Sequence, residues 1–242
     1  MGAVSYLNTK PLIYGFEKGI MENEIDLIID YPAKIAAALL NDEIDIGLVP
    51  VAIIPEMKNY FIIGDHCIGS EGEVASVCLF SEVPMEQIET VLLDYQSRTS
   101  VKLAQVLLKE FWKINPVFKN AATDFRAEIT GTTAAVVIGD RALEQRKIST
   151  YSYDLSLAWQ QHTGLPFVFA AWISNKPLED EFISKFNAAN DIGLQHIDEI
   201  VTNNPFPVFD LKKYYTKYIN YKLTDNKKEG LKLFLEKISV DQ

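Results

Sequence analysis

The chain has 242 residues, of which 48% are hydrophobic and 23% charged, with a formal net charge of −10. That length makes one large domain or two lobes of about 100–150 residues each, with enough core to fold without disulfides or metals. The acidity argues against a nucleic-acid partner, whose phosphates demand a basic face, and no run approaches the roughly 18 apolar residues of a membrane span. An anionic ligand would need a site built locally, against the charge of the whole molecule.

Short apolar strands alternate with helical segments, the pattern of an α/β sheet with crossover helices. Ala3–Tyr6 reads as a strand already under way, with neither the basic nor the apolar region of a secretory leader before it. A helix over Thr9–Lys18 tolerates Pro11 in its first turn and ends at Gly19. Strand Ile25–Asp30, helix Ala33–Leu40 and strand Ile44–Val49, stopped by Pro50, come next. Tyr60–Gly64 and Ala75–Phe80 are β-branched or aromatic and read as strands.

After a break at Ser81–Pro84 a second α/β series begins. It comprises strand Thr90–Asp94, the amphipathic helix Ser100–Lys113, a weak strand Pro116–Lys119 and a buried strand Ala134–Ile138. Helix Asp154–Gln161 and strand Pro166–Trp172 complete it. The remainder reads as helical: Leu178–Val201, Leu211–Lys222 and Asn226–Lys237, the last capped by Thr224 or Asp225. The expected architecture is a first lobe of residues 1–80 and 173–242 and an inserted lobe of residues 81–172. Two crossings, near 81–84 and 169–173, form a hinge able to close on a ligand.

The usual catalytic motifs are missing. No GxGxxG, GxxxxGK[ST] or GxSxG occurs, the histidines His66, His162 and His196 stand apart, and only His162 lies near an expected hinge. Cys67 and Cys78 show no metal-ligand spacing; a disulfide between them is the less favoured reading of two cysteines. We therefore expect no metal and no organic cofactor, and any catalysis must work by positioning and electrostatics.

Polar residues cluster where strands end, and in open α/β sheets the carboxyl ends of strands face the ligand crevice. Asn8 and Thr9 come after the first strand at a helix start, where they either cap the helix or meet an anion. Ser97-Arg98-Thr99-Ser100 combines three hydroxyls with a guanidinium at another helix start, a plausible carboxylate cradle. Ser76 stands between apolar neighbours in a crossing strand, and Asp140 of Gly139-Asp140-Arg141 reads as a helix cap.

Several motifs line up in order: Val4-Ser5-Tyr6-Leu7-Asn8-Thr9-Lys10-Pro11-Leu12, the segment Glu43–Ala52, Ser97-Arg98-Thr99-Ser100-Val101, Ile138-Gly139-Asp140 and Thr163–Ala170. Together they resemble the chorismate dehydratase family of the futalosine route to menaquinone, over nearly the whole chain. The resemblance implies a periplasmic-binding-protein type II fold, two α/β lobes with chorismate between them, and a cofactor-independent hydro-lyase of the cytoplasm. In such a family the substrate's own side-chain carboxylate serves as base. Carried onto this chain, Asn8 and Ser76 are the central pair. Candidates for substrate binding are Ser5, Tyr6, Thr9, Pro50, Ser97, Thr99, Ser100, Gly139 and Asp140, with Arg98 added on charge grounds. The expected partner is a small molecule, without nucleic acid or membrane, on a monomer or homodimer. A solute-binding protein for an organic anion, or the sister dihydroxynaphthoate synthase, which typically opens with a Ser-Pro-Cys-Pro-Asn-Asp-type segment, are the alternatives.

Overall fold

The alternation of strand and helix read from the sequence runs through the computed structural model, which describes residues 1–123 and 125–239. The last residues assigned above to the first lobe, 240–242, lie outside the described residues. Along the chain come β1 (Gly2–Val4), α1 (Lys10–Glu17), β2 (Ile28–Asp30), α2 (Pro32–Leu40), β3 (Ile46–Pro50), β4 (Phe61–Ser70) and β5 (Val77–Ser81). They continue with β6 (Thr90–Leu93), α3 (Thr99–Glu110), β7 (Val117–Asn120), β8 (Thr133–Ile138), α4 (Asp140–Gln145), β9 (Tyr151–Asp154), α5 (Leu155–Thr163) and β10 (Phe167–Ser174). The chain closes with α6 (Asp180–Gln195), α7 (Ile197–Asn203), α8 (Leu211–Lys213), β11 (Asn220–Lys222) and α9 (Asp225–Ser239).

Two sheets result. The first has the order β11-β4-β10-β3-β1-β2 and the second β7-β6-β8-β5-β9. Parallel pairs form one side of each sheet, β3-β1-β2 in the first and β7-β6-β8 in the second, while β10 and β5 run antiparallel to their neighbours. In the second sheet alternate residues divide between two cores. Leu79, Val91, Leu93, Ala134 and Val136 join the main apolar cluster, whereas Cys78, Phe80, Leu92, Ala135 and Val137 face a smaller one around Phe125. Both faces of these strands are therefore covered, which explains their unbroken apolar runs.

Close helix approach in the first lobe depends on two glycines. A Cβ on Gly15 of α1 would stand 2.2 Å from the Ala189 carbonyl oxygen, and one on Gly193 of α6 would stand 1.8 Å from that of Pro11. Either substitution would push α1 and α6 apart. Beneath them Trp172 of β10 packs edge-on to Phe186 and donates its indole N–H to Asn190 Oδ1 at 2.9 Å.

The sheet changes lie elsewhere than at the hinges read from the sequence. The strand beginning at Val77 already belongs to the second sheet, so the outward passage is residues 71–76 rather than 81–84. All of β10 belongs to the first sheet, so the return precedes Phe167 instead of falling at 169–173. Strand propensity cannot say which sheet a strand joins, and that alone misplaced the boundaries. The proposed helix Leu211–Lys222 is also corrected: only α8 and a π-helical turn over Tyr214–Tyr218 form, after which β11 joins β4 at the sheet edge. Strand β9 was missed, because Tyr151-Ser152-Tyr153 is short and borders a helix. Thr224 does cap the last helix, accepting from Lys227 N at 3.4 Å.

Both passages are tied by Asp154. Its Oδ2 accepts from Val74 N (3.0 Å) and Ala75 N (2.8 Å) in the outward passage. Its Oδ1 accepts from Ser156 N and Leu157 N, both at 3.1 Å, and so caps α5 at the start of the return. Asp154→Ala removes four charge-assisted acceptor contacts from buried amides and is expected to cost about 3–5 kcal/mol. Urea denaturation with circular dichroism measures the loss; a change below about 1 kcal/mol would contradict this account.

Candidate functional site

The carboxyl ends of the parallel strands of both sheets face each other across a cleft. Each strand supplies residues at its end or just beyond it: Tyr6 and Asn8 past β1, Pro50 at the end of β3, Gln96 and Ser97 past β6, and Gly139 past β8. Pro32, at the first turn of α2, adds to the β2 side, and Thr99 and Ser100 bring the N-terminus of α3 to the wall, where its dipole favours an anion. The floor is apolar, formed by Ile68, Phe169 and Ala170 of the antiparallel strands, Val74 of the outward passage and Val77 at the start of β5.

Several candidate residues thus meet. Tyr6, Asn8, Pro50, Ser97, Thr99, Ser100 and Gly139 all line the cleft. Gly139 adopts φ 64° and ψ −147°, a region open essentially to glycine alone, and a Cβ there would press against the Tyr6 ring at 3.1 Å. Thr99 Oγ1 accepts from Ala52 N at 3.2 Å and Ser97 Oγ from Ser100 N at 3.1 Å. Each of these hydroxyls keeps its own hydrogen to donate. Tyr6 donates to Gln96 Oε1 at 2.6 Å, and burial holds its pKa far above the usual phenol range, so it stays a donor.

Asn8 does not cap α1: neither the 3-10 turn over Leu7–Thr9 nor α1 has a side-chain cap. Asn8 Oδ1 is buried without a hydrogen-bond partner, while its carbonyl accepts from the Tyr221 hydroxyl at 2.9 Å. Ser76 is fully buried between the cleft-lining Val74 and Val77. Its carbonyl accepts from Gly139 N at 2.8 Å, and its Oγ accepts from the Tyr214 hydroxyl at 2.7 Å. The Asn8 side chain approaches that same tyrosine hydroxyl. The sequence reading gave no role to Tyr214 or Tyr221; only the density of tyrosines between 214 and 221 hinted at one.

Other candidates stand outside the cleft wall. Ser5 is exposed, and Thr9 is buried with its hydroxyl unpartnered. Arg98 is a correction: its Nη1 lies 3.0 and 2.9 Å from the two Glu56 carboxylate oxygens, in an exposed ion pair. Arg98 is the N-cap of α3, and its side chain points away from the cleft that Ser97 and Thr99 line. A cationic group does touch a wall residue: Arg141 pairs with buried Asp94 at 2.9 and 2.8 Å and donates to Gln96 Oε1 at 2.9 Å. His162 bonds Glu110 at 3.2 Å and takes no part in the cleft. Both cysteines are free, and burial pushes each thiol up to about 12.

Asp140 is the second correction. Gly139 is the N-cap of α4, and Asp140 Oδ1 accepts from Leu7 N of the other lobe at 3.3 Å. Burial raises its pKa to about 6, with the Leu7 N–H opposing that shift and Glu144 adding to it. The cleft mouth thus carries a carboxyl that is partly neutral near pH 6.

Comparison with known proteins fits this geometry. The chain superimposes on protein AF1704 from Archaeoglobus fulgidus with a TM-score of 0.78 at 14% identity, covering 99% of this chain and 96% of that one. It also matches the periplasmic aliphatic sulphonate binding protein SsuA from Escherichia coli, with a TM-score of 0.62 at 15% identity over 100% and 87% of the two chains. Two lobes facing a cleft at their strand ends define a protein of the periplasmic-binding-protein type II fold, an open α/β architecture.

The chain belongs to the menaquinone biosynthesis family, whose model matches residues 1–239. Two relatives are named chorismate dehydratase. The one from Thermus thermophilus is 26% identical over 86% of this chain and 85% of its own length; that from Campylobacter jejuni is 25% identical over 97% and 95%.

Two outcomes test the site. Arg98→Ala should leave ligand affinity within about twofold and cost at most about 1 kcal/mol of stability, since only an exposed ion pair is lost. For Asp140, the folded carboxyl holds its proton more tightly than an unfolded one. Its contribution to stability is therefore complete below about pH 4 and is lost as pH rises through about 6. Asp140→Asn should match the parent at pH 4 and exceed it by about 1–2 kcal/mol at pH 7.5, allowing for partial exposure. Urea titrations at the two pH values decide the matter; a constant difference would mean that the carboxyl is not perturbed.

Proposed function

We propose that the protein dehydrates chorismate to 3-[(1-carboxyvinyl)oxy]benzoate, a cofactor-independent hydro-lyase step of menaquinone biosynthesis carried out in the cytoplasm. The observation that carries this reading is the unpartnered Asn8 Oδ1 in the cleft wall beside buried Ser76, a neutral polar pair with no histidine or metal-spaced ligand set at hand. An unmet buried acceptor costs about 1–3 kcal/mol, which a hydroxyl donor on a ligand would recover.

The chemistry asks little more of the protein. The ring proton beside the enol ether passes to the substrate's own side-chain carboxylate. The electron pair of that C–H bond enters the ring, the neighbouring C–O bond breaks, and hydroxide leaves with a proton as water. The ring becomes aromatic, nothing is oxidised or reduced, and no redox partner is needed. Asn8 Oδ1 accepts from the substrate hydroxyl and fixes it, while the Ser76 hydroxyl donates to the oxygen as the C–O bond lengthens. The hydroxyls of Ser97, Thr99 and Ser100 with the N-terminus of α3 suit one substrate carboxylate. Tyr6 and Gly139 shape the opposite wall.

Purified protein incubated with chorismate is expected to accumulate a product lighter by one water, read by mass spectrometry, and to keep this activity after dialysis against a chelator. Binding of chorismate without turnover would make it a solute-binding protein instead. Asn8→Asp keeps the shape but sets a charge against the substrate. Its saturated kcat should fall about two to three decades, the scale of one preorganised group, with native circular dichroism and melting temperature. An undiminished single-turnover rate in that variant would remove Asn8 from the chemistry.

A further inference from the structure

One buried hydroxyl next to this pair has no task in the chemistry so far. Tyr214 is fully buried, and its hydroxyl donates to Ser76 Oγ at 2.7 Å while the Asn8 side chain approaches the same oxygen. Asn8 belongs to the first lobe and Ser76 to the outward passage, so this hydroxyl is where the two candidate residues meet.

The backbone holds Tyr214 there. It opens the π-helical turn Tyr214–Tyr218, closed by Ile219 N donating to the Tyr214 carbonyl at 3.0 Å. The turn rests on α8, which Asp210 caps by accepting from Lys213 N at 3.0 Å, and the Phe209 ring packs edge-on to Tyr214. Single π-helical turns are rare and concentrate at functional sites. Seven residues later in the same segment, Tyr221 anchors the Asn8 carbonyl at 2.9 Å. The C-terminal segment thus grips one candidate residue by its main chain and the other by its side chain. Neighbouring Tyr215, although buried, has no partner for its hydroxyl.

We propose that Tyr214 is a positioning residue for the dehydration, its hydroxyl donating to Ser76 Oγ so that the Ser76 hydrogen is directed at the departing hydroxyl. This rests on the reading of Ser76 and Asn8 given above. A serine oxygen that accepts the phenol hydrogen keeps its own hydrogen free, and the phenol's proton cannot be lost because burial holds its pKa far above the ordinary value. Without that bond the Ser76 rotor is free to turn back into the protein, and catalysis loses orientation rather than substrate affinity.

The test is a double-mutant cycle in the full chain with chorismate as probe: Tyr214→Phe, Ser76→Ala and the pair together, each with its melting temperature. Single-turnover rates at saturation are counted per folded molecule. Tyr214→Phe should lower kcat about tenfold, the scale of one net hydrogen bond, with KM within about threefold of the parent. Ser76→Ala should fall further, and the pair should be no slower than Ser76→Ala alone. Tyr215→Phe, which removes an unpartnered hydroxyl from the same turn, should keep the full rate. If Tyr214→Phe slows the Ser76→Ala protein by the same factor as the parent, Tyr214 does not act through Ser76 and the inference is overturned. A parental rate in Tyr214→Phe beside a slow Ser76→Ala also overturns it and leaves the reading of Ser76 standing. A parental rate in Ser76→Ala removes that reading itself.

Discussion

The Asp154 carboxylate gathers four backbone N–H groups from the two passages that join the sheets, and the cleft depends on it. Ala75 sits at φ 63°, the left-handed region that a non-glycine residue enters only at a cost of about 1–2 kcal/mol. It stays there because its own N–H and that of Val74 both reach Asp154 Oδ2. The same carboxylate begins α5 through its other oxygen. Burial raises the pKa of Asp154, while these backbone donors oppose the rise by stabilising its charge. Ser76 comes directly after Ala75, so the backbone position of a proposed catalytic serine is held by a carboxylate that is not part of the cleft wall.

A chain of formal charge −10 that binds a dianion must choose its polar groups with care. Among the described residues its cleft wall has no carboxylate, and Asp94 behind it is matched by Arg141 in a two-oxygen pair. That guanidinium also stacks near the Tyr95 and Phe125 rings and fixes the Gln96 carbonyl, which in turn receives the Tyr6 hydroxyl. The positive charge therefore acts at second hand, through a neutral amide, and in the proposed mechanism no cation of the described cleft wall competes with the ring proton for the substrate's own carboxylate. A base internal to the substrate works only if the protein does not neutralise it by salt-bridging.

The elements that local chemistry dictates were legible in the sequence. Pro32 opens α2, Gly164 ends α5 in the left-handed conformation, Thr224 caps α9, and most strands fall within a few residues of their apolar runs. The polar residues at strand ends were legible as well, because the crevice of an open α/β sheet lies there whatever the ligand. The features that could not be read depend on tertiary neighbours. The sheet that Val77–Ser81 joins, the partner of Arg98 and the true bond of Asp140 are all set by residues remote in sequence. The π-helical turn at Tyr214 carries residues whose pattern reads equally well as ordinary helix, and its function appears only when Ser76, 138 positions away, is placed against it.

Contacts between the lobes are of a kind that can be broken and remade. Polar contacts between the lobes include the neutral bonds Tyr6–Gln96 and Ala52–Thr99, the Leu7–Asp140 bond and the exposed Arg98–Glu56 pair. Neutral bonds contribute about 0.5–1.5 kcal/mol each and an exposed ion pair less, so together they amount to a few kcal/mol. The costly pair, buried Asp94 with Arg141, lies wholly within the second lobe and would be untouched if the lobes parted. The tyrosine bonds to Asn8 and Ser76 likewise stay on the hinge side of the cleft, with Asp154 behind them. Opening the cleft would therefore break these weak polar bonds together with apolar contacts of the core cluster that both lobes share, while the Asp94–Arg141 pair keeps its partner inside one lobe.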